Sequence, residues 1–113
     1  MEISQTVHTI EVLENFLEKR RPPQELRKRI DLGYKIQGES IFIMEIRPSW
    51  NNSGRIIEHE IAKATFVKSR EHWKIFWRRA DMKWHGYEPY PTAKTIEEFV
   101  EVVSEDSIGC FWG

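Results

Sequence analysis

Between Trp73 and Tyr87 the stretch WKIFWRRADMKWHGY interleaves three tryptophans, a phenylalanine and a tyrosine with lysines and arginines. Rings set beside cations are what a protein needs to stack on unpaired bases while holding their phosphates. Alternating large apolar residues are equally what a half-buried strand needs, so the pattern admits both readings. Metal chemistry is suggested by His59 between Glu58 and Glu60, with His72 and His85 further along. Neighbouring strand residues point to opposite faces, however, and neither Cys-x-x-Cys nor His-Glu-x-x-His spacing occurs, so no metal is expected. Clustered carboxylates with a lysine nearby would suit a Mg²⁺-dependent nuclease. The runs EIR at Glu45 and EIAK at Glu60 are faint versions of that pattern, with arginine in place of lysine in the first and the lysine one residue late in the second. Cys110 has apolar neighbours and acids upstream, which raise a thiol pKa, and no serine elbow or glycine-rich phosphate loop is present. No catalytic residue and no cofactor are therefore expected.

The elements that must position these residues follow from periodicity. Ile3, Val7, Ile10, Leu13 and Leu17, with Phe16 beside them, predict an amphipathic helix that ends in Lys19, Arg20 and Arg21 before the Pro22-Pro23 break. From Leu26 the period drops to two, and Leu26, Ile30, Leu32, Tyr34 and Ile36 predict a strand with one wet face. A turn at Gly38 leads into SIFIMEIR, apolar on both faces, and the two segments should pair as a hairpin. RPSWNNSGR reads as a loop, IIEHEIAKATFVK as a third strand and HWKIFWR as a fourth. An even-length turn at Ala80 and Asp81 would set Trp77 opposite Trp84, Phe76 opposite His85, Ile75 opposite Gly86, and Arg78 opposite Lys83. Thr95 and Glu98 form a capping box for a second helix with Ile96, Phe99, Val100 and Val103 inward, and Phe111 and Trp112 should fold back on the body. The expected fold is α+β in two layers: an N-terminal helix, a five-stranded antiparallel meander and a C-terminal helix, with Trp73, Ile75, Trp77 and Trp84 on the covered face.

A chain of 113 residues suits one domain spanning 1–113, and 40% hydrophobic with 31% charged residues matches neither a disordered segment nor a membrane span. MEISQTVHTIEVL lacks a basic start and an unbroken apolar run, and one cysteine forms no internal disulfide, so a cytoplasmic setting is expected. A net charge of −1 argues against a strongly basic nucleic-acid binder taken as a whole. The distribution is uneven, since Lys63 to His85 holds seven cations against two acids, whereas Gly86 onward holds one lysine against six acids. Either a basic hairpin and an acidic helix neutralise each other, or a basic face is left for an anionic partner.

The segments GYKIQGESIFIMEIRPSW, IAKATFVKSREHWKIFWRRADMKWHGYEPYP and DSIGCFWG, with the combination Arg47-Pro48-x-Trp50, resemble the small bacterial proteins of the domain of unknown function 3024 family from about Gly33 to Gly113. The resemblance implies a bacterial, cytoplasmic, stand-alone domain and carries over no catalytic residue. The functional expectation is a non-enzymatic binding domain with nucleic acid or an anionic protein as partner and no membrane. Its candidate binding residues are Arg47, Trp50, Lys74, Phe76, Arg78, Lys83, His85 and Tyr87. The alternative is a small metal-dependent nuclease or hydrolase using some of Glu45, Glu58, His59 and Glu60.

Overall fold

The computed structural model describes residues 1–27, 29–49 and 54–112. Helix α1 runs Ile3–Arg20 and ends where the predicted prolines lie, Arg21 N–H closing the last turn on Leu17 O at 2.7 Å. Its buried residues are Thr9, Leu13 and Leu17, whereas Ile3, Val7 and Ile10 face outward, which corrects the expected stripe in its first half. Thr9 can take the inner position because its hydroxyl donates to Gln5 O at 2.8 Å and so carries no unsatisfied group inward.

Strands β1 (Asp31–Gln37), β2 (Ser40–Pro48), β3 (Ile56–Val67) and β4 (His72–Arg78) form an antiparallel meander in chain order. The first strand begins at Asp31, not Leu26. A 3-10 turn over Gln24–Leu26 intervenes, Arg27 Nε donates to Pro22 O, and Arg21 grips Asp31 with two hydrogen bonds of 2.6 and 2.8 Å, pinning the strand's start to the helix end. Two short strands then share one edge of β4: β5 (Trp84–Gly86) near its end and β6 (Thr92–Ala93) near its start. The sixth was not expected, because EPYP breaks the chain between them and only two residues pair again. Helix α2, Ile96–Glu105, begins with Thr95 Oγ1 accepting from Glu98 N–H at 3.2 Å while Glu98 Oε2 accepts from Lys94 N–H, close to the expected capping box.

Both helices lie on one face of the sheet, α1 against β1 and α2, and α2 against β4 and β6. Leu13, Ile41, Ile43, Ile75, Tyr87, Phe99 and Val103 are buried in that core, and Trp73 is 2% exposed. The C-terminal tail does fold back. Asp106 accepts the N–H groups of Phe111 and Trp112, the Trp112 indole donates to Val103 O at 2.9 Å, and the Arg20 guanidinium sits 4.2 Å from its ring centroid.

Candidate functional site

The β4–β5 hairpin decides which aromatic rings reach solvent. Arg79 N–H donates to Lys83 O and Met82 N–H to Arg79 O, so the loop is Ala80-Asp81-Met82. Met82 holds a left-handed backbone at φ 65°, as in a three-residue hairpin loop that ends in an αL residue. An odd loop moves the register by one from the expected pairing. Trp77 stands opposite His85, Phe76 opposite Gly86 and Arg78 opposite Trp84. Because side chains alternate across a strand, this single step takes Trp84 off the helix-covered face and puts His85 there instead. The expected Trp77–Trp84 ladder and Arg78–Lys83 like-charge pair therefore do not form.

On the face away from the helices, strand alternation aligns Lys35, Phe42, Lys63 and Phe76 across four strands, with Trp84 and Arg78 beside them. The Phe42 and Trp84 rings are 5.9 Å apart and tilted by 56°. Lys63 Nζ lies 5.6 Å from the Phe42 centroid, 5.3 Å from Phe76 and 5.8 Å from Trp84, so one ammonium sits among three rings. Lys35 Nζ is 4.9 Å from Phe42, and the Arg78 guanidinium is 5.8 Å from Trp84. Phe42 is only 7% exposed and forms the floor, whereas Phe76 and Trp84 are partly open to solvent. Lys74 stands on the same face, paired with Thr65 and Thr92. Among the described residues Lys35 pairs with Glu60 at 3.3 Å, while Lys63, Lys74 and Arg78 have no ion pair. The acidic helix does not neutralise them. It packs on the other layer, where Glu97 meets His8 at 3.0 Å.

The sequence-derived candidates divide accordingly. Lys74, Phe76 and Arg78 lie together on this face. Lys83 is exposed just after the loop, where its N–H donates to Asp81 Oδ1 at 2.9 Å. His85 faces the helix side and its Nε2 is 2.9 Å from Asp81 Oδ2. The Lys83 N–H and then the imidazole hold the Asp81 carboxyl below its ordinary value. Tyr87 is 0% exposed, its ring 4.7 Å from that of Phe111 and tilted by 44° to it, with its hydroxyl 3.2 Å from Ser107 Oγ, so it is a core residue and unavailable for stacking on a base. Arg47 pairs with Glu45 at 2.5 Å and stands on the opposite face by alternation, away from Phe76. Trp50 lies outside the described residues. Phe42, Trp84, Lys35 and Lys63 were missed. The greasy alternation of SIFIM signalled Phe42, but the role of Trp84 depended on the loop count.

The residues of the hydrolytic alternative are divided between faces. Glu45 pairs in register with His59, and Ile46 with Glu58, so His59 and Glu58 project oppositely and Glu60 turns to Lys35. Among the described residues no three His, Cys, Asp or Glu side chains come together as a metal site. Cys110 is pushed up to about 11 by burial and the nearby Asp106 carboxylate, which leaves it a poor nucleophile at neutral pH.

Comparison with known proteins gives one family match. The family model described as Domain of unknown function (DUF3024) matches residues 2–113. No curated protein and no solved structure matches the chain.

Proposed function

Starting from a chain that belongs to the DUF3024 family, whose description assigns no activity, we propose that this domain is a non-enzymatic binder of single-stranded nucleic acid. The strand lies across the sheet face that the helices leave bare. The observation that carries the reading is Lys63 among the rings of Phe42, Phe76 and Trp84, flanked by Lys35, Lys74 and Arg78. Any base offers a π-face to Phe76 and Trp84, and the cations meet its phosphates, so the interaction tolerates sequence. The net charge of −1 gives no long-range pull towards a polyanion. Affinity rests on a local patch, and beyond roughly 8 Å at physiological salt the acids of the helical layer are largely screened from it. Binding is therefore weak and steeply salt-dependent. The same reading sets the protein in a bacterial cytoplasm, where its single thiol stays reduced.

Fluorescence anisotropy with a mixed-sequence single-stranded oligonucleotide over a salt series tests this. Replacing Lys63, Lys74 and Arg78 together by glutamine should flatten the logarithmic salt slope by about 0.7 for each phosphate that is no longer neutralised, or about 2 in all. No binding of the wild type at low salt would refute the reading. Binding of an acidic peptide in place of the oligonucleotide would instead favour an anionic protein.

A further inference from the structure

The surrounding fold does not account for a glycine at position 86. Its φ is not positive, unlike that of Gly38, Gly54 and Gly109, and a Cβ added there meets no atom within 4 Å. Glycine weakens a strand, where it often marks a bulge, a tight bend or a place where another backbone or a ligand comes close, and the β4–β5 pairing runs through Gly86 with no register shift. Gly86 stands opposite Phe76 in the three-residue edge strand β5, so a side chain here would project beside the Phe76 ring.

Beyond the same edge opens a cavity of about 670 Å³ lined by Trp77, Arg79, His85, Glu88 and Ile108 together with Gly86 itself. That is within the roughly 300–1,000 Å³ typical of small-molecule sites. Trp77 is partly buried and supplies a flat wall. The Arg79 guanidinium lies 5.4 Å from its ring centroid and makes no ion pair among the described residues. The His85 imidazole, held by Asp81, and the Glu88 carboxylate offer hydrogen-bonding partners for the edge of a base, and Ile108, 59% exposed, forms an apolar rim.

We infer that the β5 edge is a crossing point. A single strand on the bare face turns past Gly86 and places one nucleotide in this cavity, its base against Trp77 and its phosphate at Arg79. The inference rests on the proposed nucleic-acid reading and adds to it a built nucleotide site on the second face.

Gly86→Val tests it, because valine suits a strand and meets free space, so the thermal midpoint should hold or rise. Binding of the mixed-sequence single-stranded oligonucleotide should weaken about tenfold, the scale of removing one base stack. In ¹⁵N spectra the Trp77 indole should move on oligonucleotide addition in the wild type and stay still in the variant, while the Trp84 indole moves in both. Should Gly86→Val lower the midpoint, Arg79→Gln at an exposed position takes its place, with the same loss of the Trp77 response expected. Wild-type binding that shifts Trp84 but not Trp77, or a Gly86→Val protein that binds and responds as the wild type does, overturns the crossing and leaves the bare-face reading standing. No response from either indole overturns both.

Discussion

Both faces of strand β4 carry large aromatic rings, Trp73 and Trp77 on one and Phe76 on the other, and those rings live in different surroundings. Trp73 and Ile75 are 2% and 1% exposed under the helical layer, while Phe76 on the other side is partly open, with the Lys63 ammonium 5.3 Å from its ring centroid. Ring content therefore does not separate core from surface in this molecule. What separates them is what lies on top: helix stripes on one side, and long flexible cations on the other. A lysine stem covers apolar area while keeping its charge in water, and it can swing aside for a ligand in a way that a packed helix cannot. On the proposed reading the covered face serves stability and the lysine-covered face serves contact. Four substitutions break or sharpen that division.

The largest effect should come from Trp73→Ala, which empties a fully buried site against Phe66, 5.2 Å away between ring centroids. A loss of about 3–5 kcal/mol in denaturant melts is expected, the range for truncating a large buried aromatic residue. A loss well under 1 kcal/mol would mean that the covered face is not the core. Trp84→Ala should behave differently. Its ring already meets water in part, so stability should fall by only about 1–2 kcal/mol, while affinity for a single strand drops by about 1–3 kcal/mol if a base stacks there. Equal stability losses for Trp73 and Trp84 would erase the distinction between the faces.

Asp31→Asn addresses the junction that sets where the sheet begins. Hydrogen bonding from the Arg21 guanidinium, helped by the Leu32 N–H, holds the Asp31 carboxyl below its ordinary value of 3.8. A carboxyl depressed in the fold adds stability that is present above the ordinary value and is lost as pH falls through the folded one. The wild type should accordingly lose stability on acidification through this window, and Asp31→Asn should lose less between pH 7 and pH 3. An unchanged difference between the two pH values would remove the pair from the account. The smallest effect is expected from Met82→Gly. A left-handed backbone costs a residue with a Cβ roughly 1–2 kcal/mol, offset in part by glycine's greater freedom when unfolded, for a net gain below about 1 kcal/mol. Destabilisation would argue against the three-residue loop and the register built on it.

That loop also marks where the sequence stops being readable. The period of two in DLGYKI, SIFIMEI and HWKIFWR follows from burial on alternating sides, and the Thr95–Glu98 cap follows from local hydrogen bonding, so both were legible. The meander with two covering helices came with them. The β4–β5 register was not legible, because a residue at positive φ is normally announced by Gly or Asn and here it is methionine. One residue of loop length then exchanged Trp84 for His85 across the sheet. Tyr87 went to the core for a related reason: it lies past the end of β5, where its N–H donates to Ile75 O and its ring meets the C-terminal Phe111, a packing of segments distant in sequence. Similarly, Ile3, Val7 and Ile10 form a stripe by spacing alone, yet the fold leaves all three exposed.

On the proposed reading the bare sheet face around Lys63 and Trp84 receives a single-stranded nucleic acid. Titration of ¹⁵N-labelled protein with a mixed-sequence single strand at low salt, with each indole assigned by Trp→Phe variants, tests it most directly. The Trp84 indole should shift with oligonucleotide, the shift should fade as salt rises, and the Trp73 indole beneath the helices should stay in place. An unmoved Trp84, or shifts shared equally by Trp73 and Trp84, would contradict it.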